Sequence, residues 1–132
     1  MPEVSIHRIA TTDDDVLRVR LEAGKGPFSQ IFVARCGGQD AGLLIFDEWP
    51  GGRLGIVHEV YVLEEYRGAQ IGQLLLSHAE TTARAVSLEM LQLRVRSLDP
   101  EHMDDQQLIG WYTRNGYLPD DSERTLLRKS LG

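Results

Sequence analysis

The sequence predicts an α+β fold, with strands and helices mixed in one domain, and three observations carry that expectation. Short strand signals separated by turns fill the first half of the chain. Near the middle, a strand opens through a small-residue loop into an amphipathic helix, over residues 56–86. Another strand pattern follows that helix at once, which is half of a parallel crossover unit. The expected sheet is therefore mixed, mostly antiparallel and flanked by helices. A length of 132 residues allows one domain, 1–132, with a sizeable core.

Val4, Ile6 and Ile9 mark a first strand, and Thr12-Asp13-Asp14-Asp15 offers an N-cap and an acidic first turn to a helix carrying Val16, Leu17, Val19 and Leu21. Gly24-Lys25-Gly26-Pro27 stops it. Residues 30–35 and 41–47 read as strands joined by the turn Cys36-Gly37-Gly38-Gln39-Asp40, a hairpin signal. After Trp49-Pro50-Gly51-Gly52, Leu54 begins the central strand. The helix beyond it places Ile71, Leu74, Leu75, His78, Ala79, Thr82 and Val86 on one stripe, with Gln73, Ser77, Glu80 and Arg84 expected outside. Leu91, Leu93 and Val95 alternate with polar residues as a strand. Asp104-Asp105-Gln106-Gln107 starts a second helix with Leu108, Trp111 and Tyr112, which Asn115-Gly116 ends as a left-handed cap. Tyr117-Leu118-Pro119 and residues 125–131 form a closing hairpin, which could supply the edge of a homodimer.

Composition narrows the function. A net charge of −6 disfavours nucleic acid as a partner and suits a cationic amine. No apolar run reaches the roughly 20 residues that span a membrane, and no signal segment is visible, so cytoplasm is the expected compartment. The single cysteine, Cys36, excludes an internal disulfide framework. His7, His78 and His102 have no ligand spacing with Cys36, and no metal site is expected.

The central stretch carries the chemistry. Where a strand ends in a small-residue loop and a helix begins, the first helical N–H groups point outward without intrahelical partners, and the dipole adds positive charge. Such an end binds anions, so a pyrophosphate-bearing ligand is expected at Arg67, Gly68, Ala69, Gln70, Ile71 and Gly72. Val62-Leu63-Glu64-Glu65-Tyr66-Arg67-Gly68-Ala69-Gln70-Ile71-Gly72 also resembles the acetyl-coenzyme A signature of the GNAT superfamily of N-acetyltransferases. Arg67 and Gly72 match its Arg-x-x-Gly-x-Gly/Ala pattern, and Gln70 stands where the family usually has its first glycine. A second segment, Trp111-Tyr112-Thr113-Arg114-Asn115-Gly116-Tyr117, resembles the family's aromatic-Tyr-x-x-x-Gly-aromatic motif, in the right order and spacing.

The resemblance implies a GNAT-like acyl-CoA N-acyltransferase fold whose two central strands splay apart around acetyl-CoA as cosubstrate. It implies that backbone groups of Val60 and Val62 pair with the pantetheine arm, that Tyr112 meets the sulfur as an acid, and that Glu59 orients the amine or takes its proton. Tyr61 shares the Glu59 face two residues on and lines the same cleft. Each residue has a plainer reading beside this one. Tyr112 could be a core aromatic, Val60 and Val62 core valines, Arg67 a solvated charge paired with Glu64 or Glu65, and Asn115 a cap rather than a cofactor contact. His58, on the opposite face from Glu59, is expected to be a satisfied interior histidine. The short region before residue 29 leaves the acceptor site open.

The function these residues imply is acetyl transfer from acetyl-CoA to a primary amine, small molecule or peptide, by direct attack in a ternary complex with no cysteine nucleophile. The alternative is a catalytically inactive acyl-CoA-binding module that keeps the cradle.

Overall fold

The strand at residues 39–49 is the axis of the molecule, because residues 41–46 within it are buried on both faces. The computed structural model describes residues 3–49, 51, 53–68, 70–97, 101 and 103–131. In chain order the elements are β1 (Val4–Ile9), α1 (Asp15–Gly24), β2 (Ser29–Cys36), β3 (Gln39–Trp49), β4 (Leu54–Val62), a 3-10 turn (Glu64–Tyr66), α2 (Ile71–Ala85), β5 (Met90–Arg94), α3 (Asp105–Arg114), β6 (Leu118–Pro119) and β7 (Leu126–Ser130). They build a seven-stranded sheet in the order β1-β2-β3-β4-β5-β7-β6. All neighbouring pairs are antiparallel except β4 and β5, which α2 connects. The mixed, mostly antiparallel plan read from the sequence is the one the chain adopts.

Each face of the sheet has its own core. Leu17 and Leu21 of α1 pack on Ile31, Val33, Leu43 and Ile45. Ile71, Leu75, Leu76, Ala79 and Ala83 of α2 pack on Phe32, Ala34, Leu44 and Phe46, joined by Ile109 and Tyr112 of α3. Burying each large apolar side chain contributes about 1.5–3 kcal/mol, so these two layers hold the sheet. Gly42 lets α2 come close, since a Cβ there would lie 3.0 Å from Leu75 Cδ1 and 3.1 Å from the Tyr61 carbonyl oxygen.

The helix starts follow the capping rules. Asp14 accepts from the Leu17 N–H, and Asp104 with Gln107 forms a reciprocal capping box. Gly116, at φ +96°, takes the left-handed conformation that follows α3.

Two helix faces differ from the sequence expectation. On α1 only Leu17 and Leu21 turn inward, while Val16 and Val19 are 49% and 69% exposed. On α2 the buried stripe is rotated, so Glu80 lies inside and Leu74 and Val86 lie outside. Glu80 can be buried because Tyr117 and Lys129 supply donors there, which a helical wheel of α2 alone does not show. The closing hairpin is also shorter than expected: β6 has two residues, and β7 is an inner strand paired to β5.

Candidate functional site

β4 and β5 run side by side only from the Leu54–Met90 pair to the Val57–Leu93 pair. Beyond that point they part, and residues 59–62 of β4 have β3 alone as sheet partner. The parting opens a cleft of about 370 Å³ between the end of β4, the segment after β5, the start of α2, and α3.

The orientation of β4 in this cleft depends on one extra residue. Phe46 of β3 faces Val57, but its neighbour Ile45 faces Glu59, so His58 is a bulge with no direct partner. The bulge resets the alternation. Val57, Val60 and Val62 share the α2 face, whereas Glu59 and Tyr61 share the α1 face with Ile45 and Leu43. His58 is exposed rather than interior, and its Nε2 lies 2.7 Å from Asp47 Oδ2. Both His58 and Glu59 line the cleft, because a bulge breaks the rule that adjacent strand residues face opposite ways.

The same register aims the backbone. Leu63 N–H donates to the Ala41 carbonyl at 2.9 Å, so the hydrogen-bonded pairs on this edge fall at residues 63, 61 and 59. The N–H and C=O groups of Val60 and Val62 therefore point to the open side.

At the far end of the cleft, α2 begins at Gln70 without a side-chain cap, and the N–H groups of its first turn have no intrahelical partner. Gly68 at φ +91° and Gln70 at φ +62° form the turn that exposes them. Gln70 thus holds the left-handed conformation that glycine adopts without strain. Ala69, expected in the same cradle, lies outside the described residues. Ile71 is buried at the base, while Gly72 opens toward Trp111 and Val62. Arg67 lines the cleft beside this turn. Its Nε donates to the Val62 carbonyl at 3.1 Å and its Nη2 to the Tyr61 hydroxyl at 3.2 Å.

Two titratable groups meet in the middle. Burial raises the Glu59 carboxyl above its ordinary range, against the pull of Arg20 and Arg96, and Glu59 Oε2 is buried without a hydrogen-bond partner. Tyr112 is 8% exposed and lines the cleft. Burial lifts its hydroxyl well above the usual phenol range, and the Glu59 carboxylate pushes the same way. Asn115, expected among cofactor contacts, is not part of the cleft wall. Its amide donates to the Trp111 carbonyl at 2.8 Å and accepts from Gln73 at 3.2 Å, capping α3 and tying it to α2.

Sequence reasoning missed Arg20 and Arg96. They come from α1 and from the segment after β5, and nothing local in either place marks them as neighbours of Glu59.

Three features suit an extended ligand with a phosphate group and a chain of amides: the uncapped helix start, the strand edge turned away from β3 at Val60 and Val62, and the orphaned carboxylate oxygen. Comparison with known proteins gives the family and the fold. Residues 27–119 match the family model described as an acetyltransferase (GNAT) domain. A search of curated proteins returned no match. Among solved structures, a ribosomal-protein alanine N-acetyltransferase from Escherichia coli is 15% identical with TM-score 0.73, covering 98% of this chain and 95% of its own. An IAA acetyltransferase from Bacillus cereus is 19% identical with TM-score 0.67, covering 97% and 99%. A PaiA N-acetyltransferase from Thermoplasma acidophilum, solved in complex with coenzyme A, is 18% identical with TM-score 0.63, covering 85% of this chain and 65% of that one.

Proposed function

The chain belongs to the GNAT acetyltransferase family, and from that premise we propose that it moves an acetyl group from acetyl-CoA to a primary amine by direct attack in a ternary complex. The observation that best supports this reading is convergence. Glu59, Tyr112, the open backbone of Val60 and Val62 and the start of α2 all border one cleft.

In this reading the N–H groups opening α2, with Gly68, Gln70 and Gly72 around them, hold the pyrophosphate, and Arg67 adds charge beside it. Val60 and Val62 extend the sheet to the pantetheine arm by backbone pairing. When bound, acetyl-CoA supplies an acetyl group activated as a thioester. Glu59 accepts a proton from the acceptor ammonium, directly or through water, which frees the lone pair for attack. The nitrogen adds to the thioester carbonyl, and the C–S bond then breaks with the electron pair leaving on sulfur. The second nitrogen proton passes to that thiolate, directly or through water, giving the amide and free thiol. Tyr112 keeps its proton more tightly than an ordinary thiol of pKa about 8.5 does. The role that fits it is therefore hydrogen-bond donation to sulfur as charge builds, rather than complete proton release.

The test is thiol release from acetyl-CoA across pooled amines, with cofactor binding followed in parallel by thermal shift. Release that depends on an amine pool supports the transferase. Stabilisation by acetyl-CoA without release in any pool favours an inactive binding module. The rate should fall on acidification through the raised Glu59 pKa, above 4.5, as the base is protonated, and Glu59→Gln should abolish that acid limb. Glu59 binds its proton more tightly folded than unfolded, so its ionised form costs stability at neutral pH. Glu59→Gln should therefore not lower Tm.

A further inference from the structure

On the α1 side of β4 lies a second depression, lined by Asp15, Val16, Val19, Arg20, Ala23, Glu59 and Arg96. Glu59 belongs to both hollows, so this depression opens onto the candidate base from the side opposite the helix cradle. That is where an acceptor would approach. Its charge is not what a polyamine site needs. Two guanidiniums, Arg20 and Arg96, act on the Glu59 carboxylate. Arg20 is set in place by stacking on the Tyr61 ring, 3.8 Å from its centroid. The other carboxylate of the depression's wall, Asp15, is already engaged in an ion pair with Arg18. A dication entering here would place its second charge near Arg20 and Arg96, where like charges oppose it.

We propose that the acceptor is an amine that also carries a carboxylate, an amino acid with an apolar side chain, its ammonium on Glu59 and its carboxylate between Arg20 and Arg96. Val16, Val19 and Ala23 provide an apolar wall for that side chain. The two valines are exposed in the protein alone, so covering them with a ligand gains hydrophobic free energy. Arg96 is exposed and able to turn toward a ligand carboxylate. This inference rests on the transferase reading for the location of the acceptor.

Calorimetry on the full chain saturated with CoA separates the two. The probes are phenylalanine and leucine, their amides, and spermidine. The expected result is that each carboxylate binds about tenfold tighter than its amide, the size of one charge-assisted hydrogen bond. Arg96→Gln and Arg20→Gln should collapse that ratio toward one while leaving amide affinity in place. Equal affinities, tighter spermidine, or variants that weaken acid and amide alike would overturn the proposal, reducing the arginines to counterions of Glu59. Thiol release from acetyl-CoA with the same probes reads the transferase separately. Selective binding without release would uphold the anchor and count against turnover.

Discussion

Two buried tyrosines stand 5.8 Å apart, ring centre to ring centre, in opposite surroundings. Tyr117 is fully buried and donates to Glu80 Oε2 at 3.1 Å. The other Glu80 oxygen accepts from Lys129 Nζ at 3.0 Å, and Lys129 also donates to the Asn115 carbonyl at 3.0 Å. Tyr112 faces the cleft, and the carboxylate that acts on it, Glu59, has an oxygen with no partner. In both places burial raises the phenol, and a carboxylate adds to the effect. In one place polarity is spent on cohesion between α2, α3 and β7. In the other it is left over, which is costly in a folded protein unless a ligand uses it.

That contrast can be broken by paired substitutions. The largest effect is expected from Tyr112→Phe, which should lower kcat by about 10²–10³ in steady-state assays while Tm and CoA affinity stay put. Glu80→Ala should do the reverse. It strands Lys129, only 24% exposed, and removes the Tyr117 acceptor, costing about 2–3 kcal/mol in denaturant unfolding with CoA affinity retained. Tyr117→Phe removes one hydrogen bond and should cost about 1 kcal/mol. A Tm loss in Tyr112→Phe as large as in Tyr117→Phe would erase the distinction. The smallest effect belongs to Gln70→Gly, which relaxes a left-handed backbone position in the cradle. It should tighten CoA about threefold by calorimetry with little change in Tm, because relieved strain and the added freedom of the unfolded chain oppose each other.

Much of this was legible in the sequence because it is local. The turn at 36–40, the Asp14 and Asp104 helix starts, and the strand-loop-helix passage at 56–86 are written in neighbouring residues. Of the candidate site, the motifs led as far as the cleft wall at Arg67, Gly68, Gln70, Ile71, Gly72 and Tyr112. What could not be read was long-range. Glu80 is inward because β7 delivers Lys129 to it, and Arg20 reaches Glu59 from a helix 39 positions earlier in the numbering. Asn115 reads in sequence as either cap or ligand contact, and its bond to the Trp111 carbonyl, which fits the cap, depends on a side-chain rotamer that sequence does not give.

The bulge at His58 makes β4 resemble a message with one letter inserted. Upstream and downstream portions are each in frame with β3, but in different frames. A descendant that kept His58 but flattened the bulge, pairing it directly with Ile45, would keep every side chain of the site and still misplace them. Glu59 would rotate onto the α2 face, Val60 and Val62 would turn to the other, and the open backbone groups would change places. Composition would be almost untouched. What is inherited here is therefore a count as much as a set of residues, and relatives of this chain are better compared by strand frame than by which acids and valines they possess.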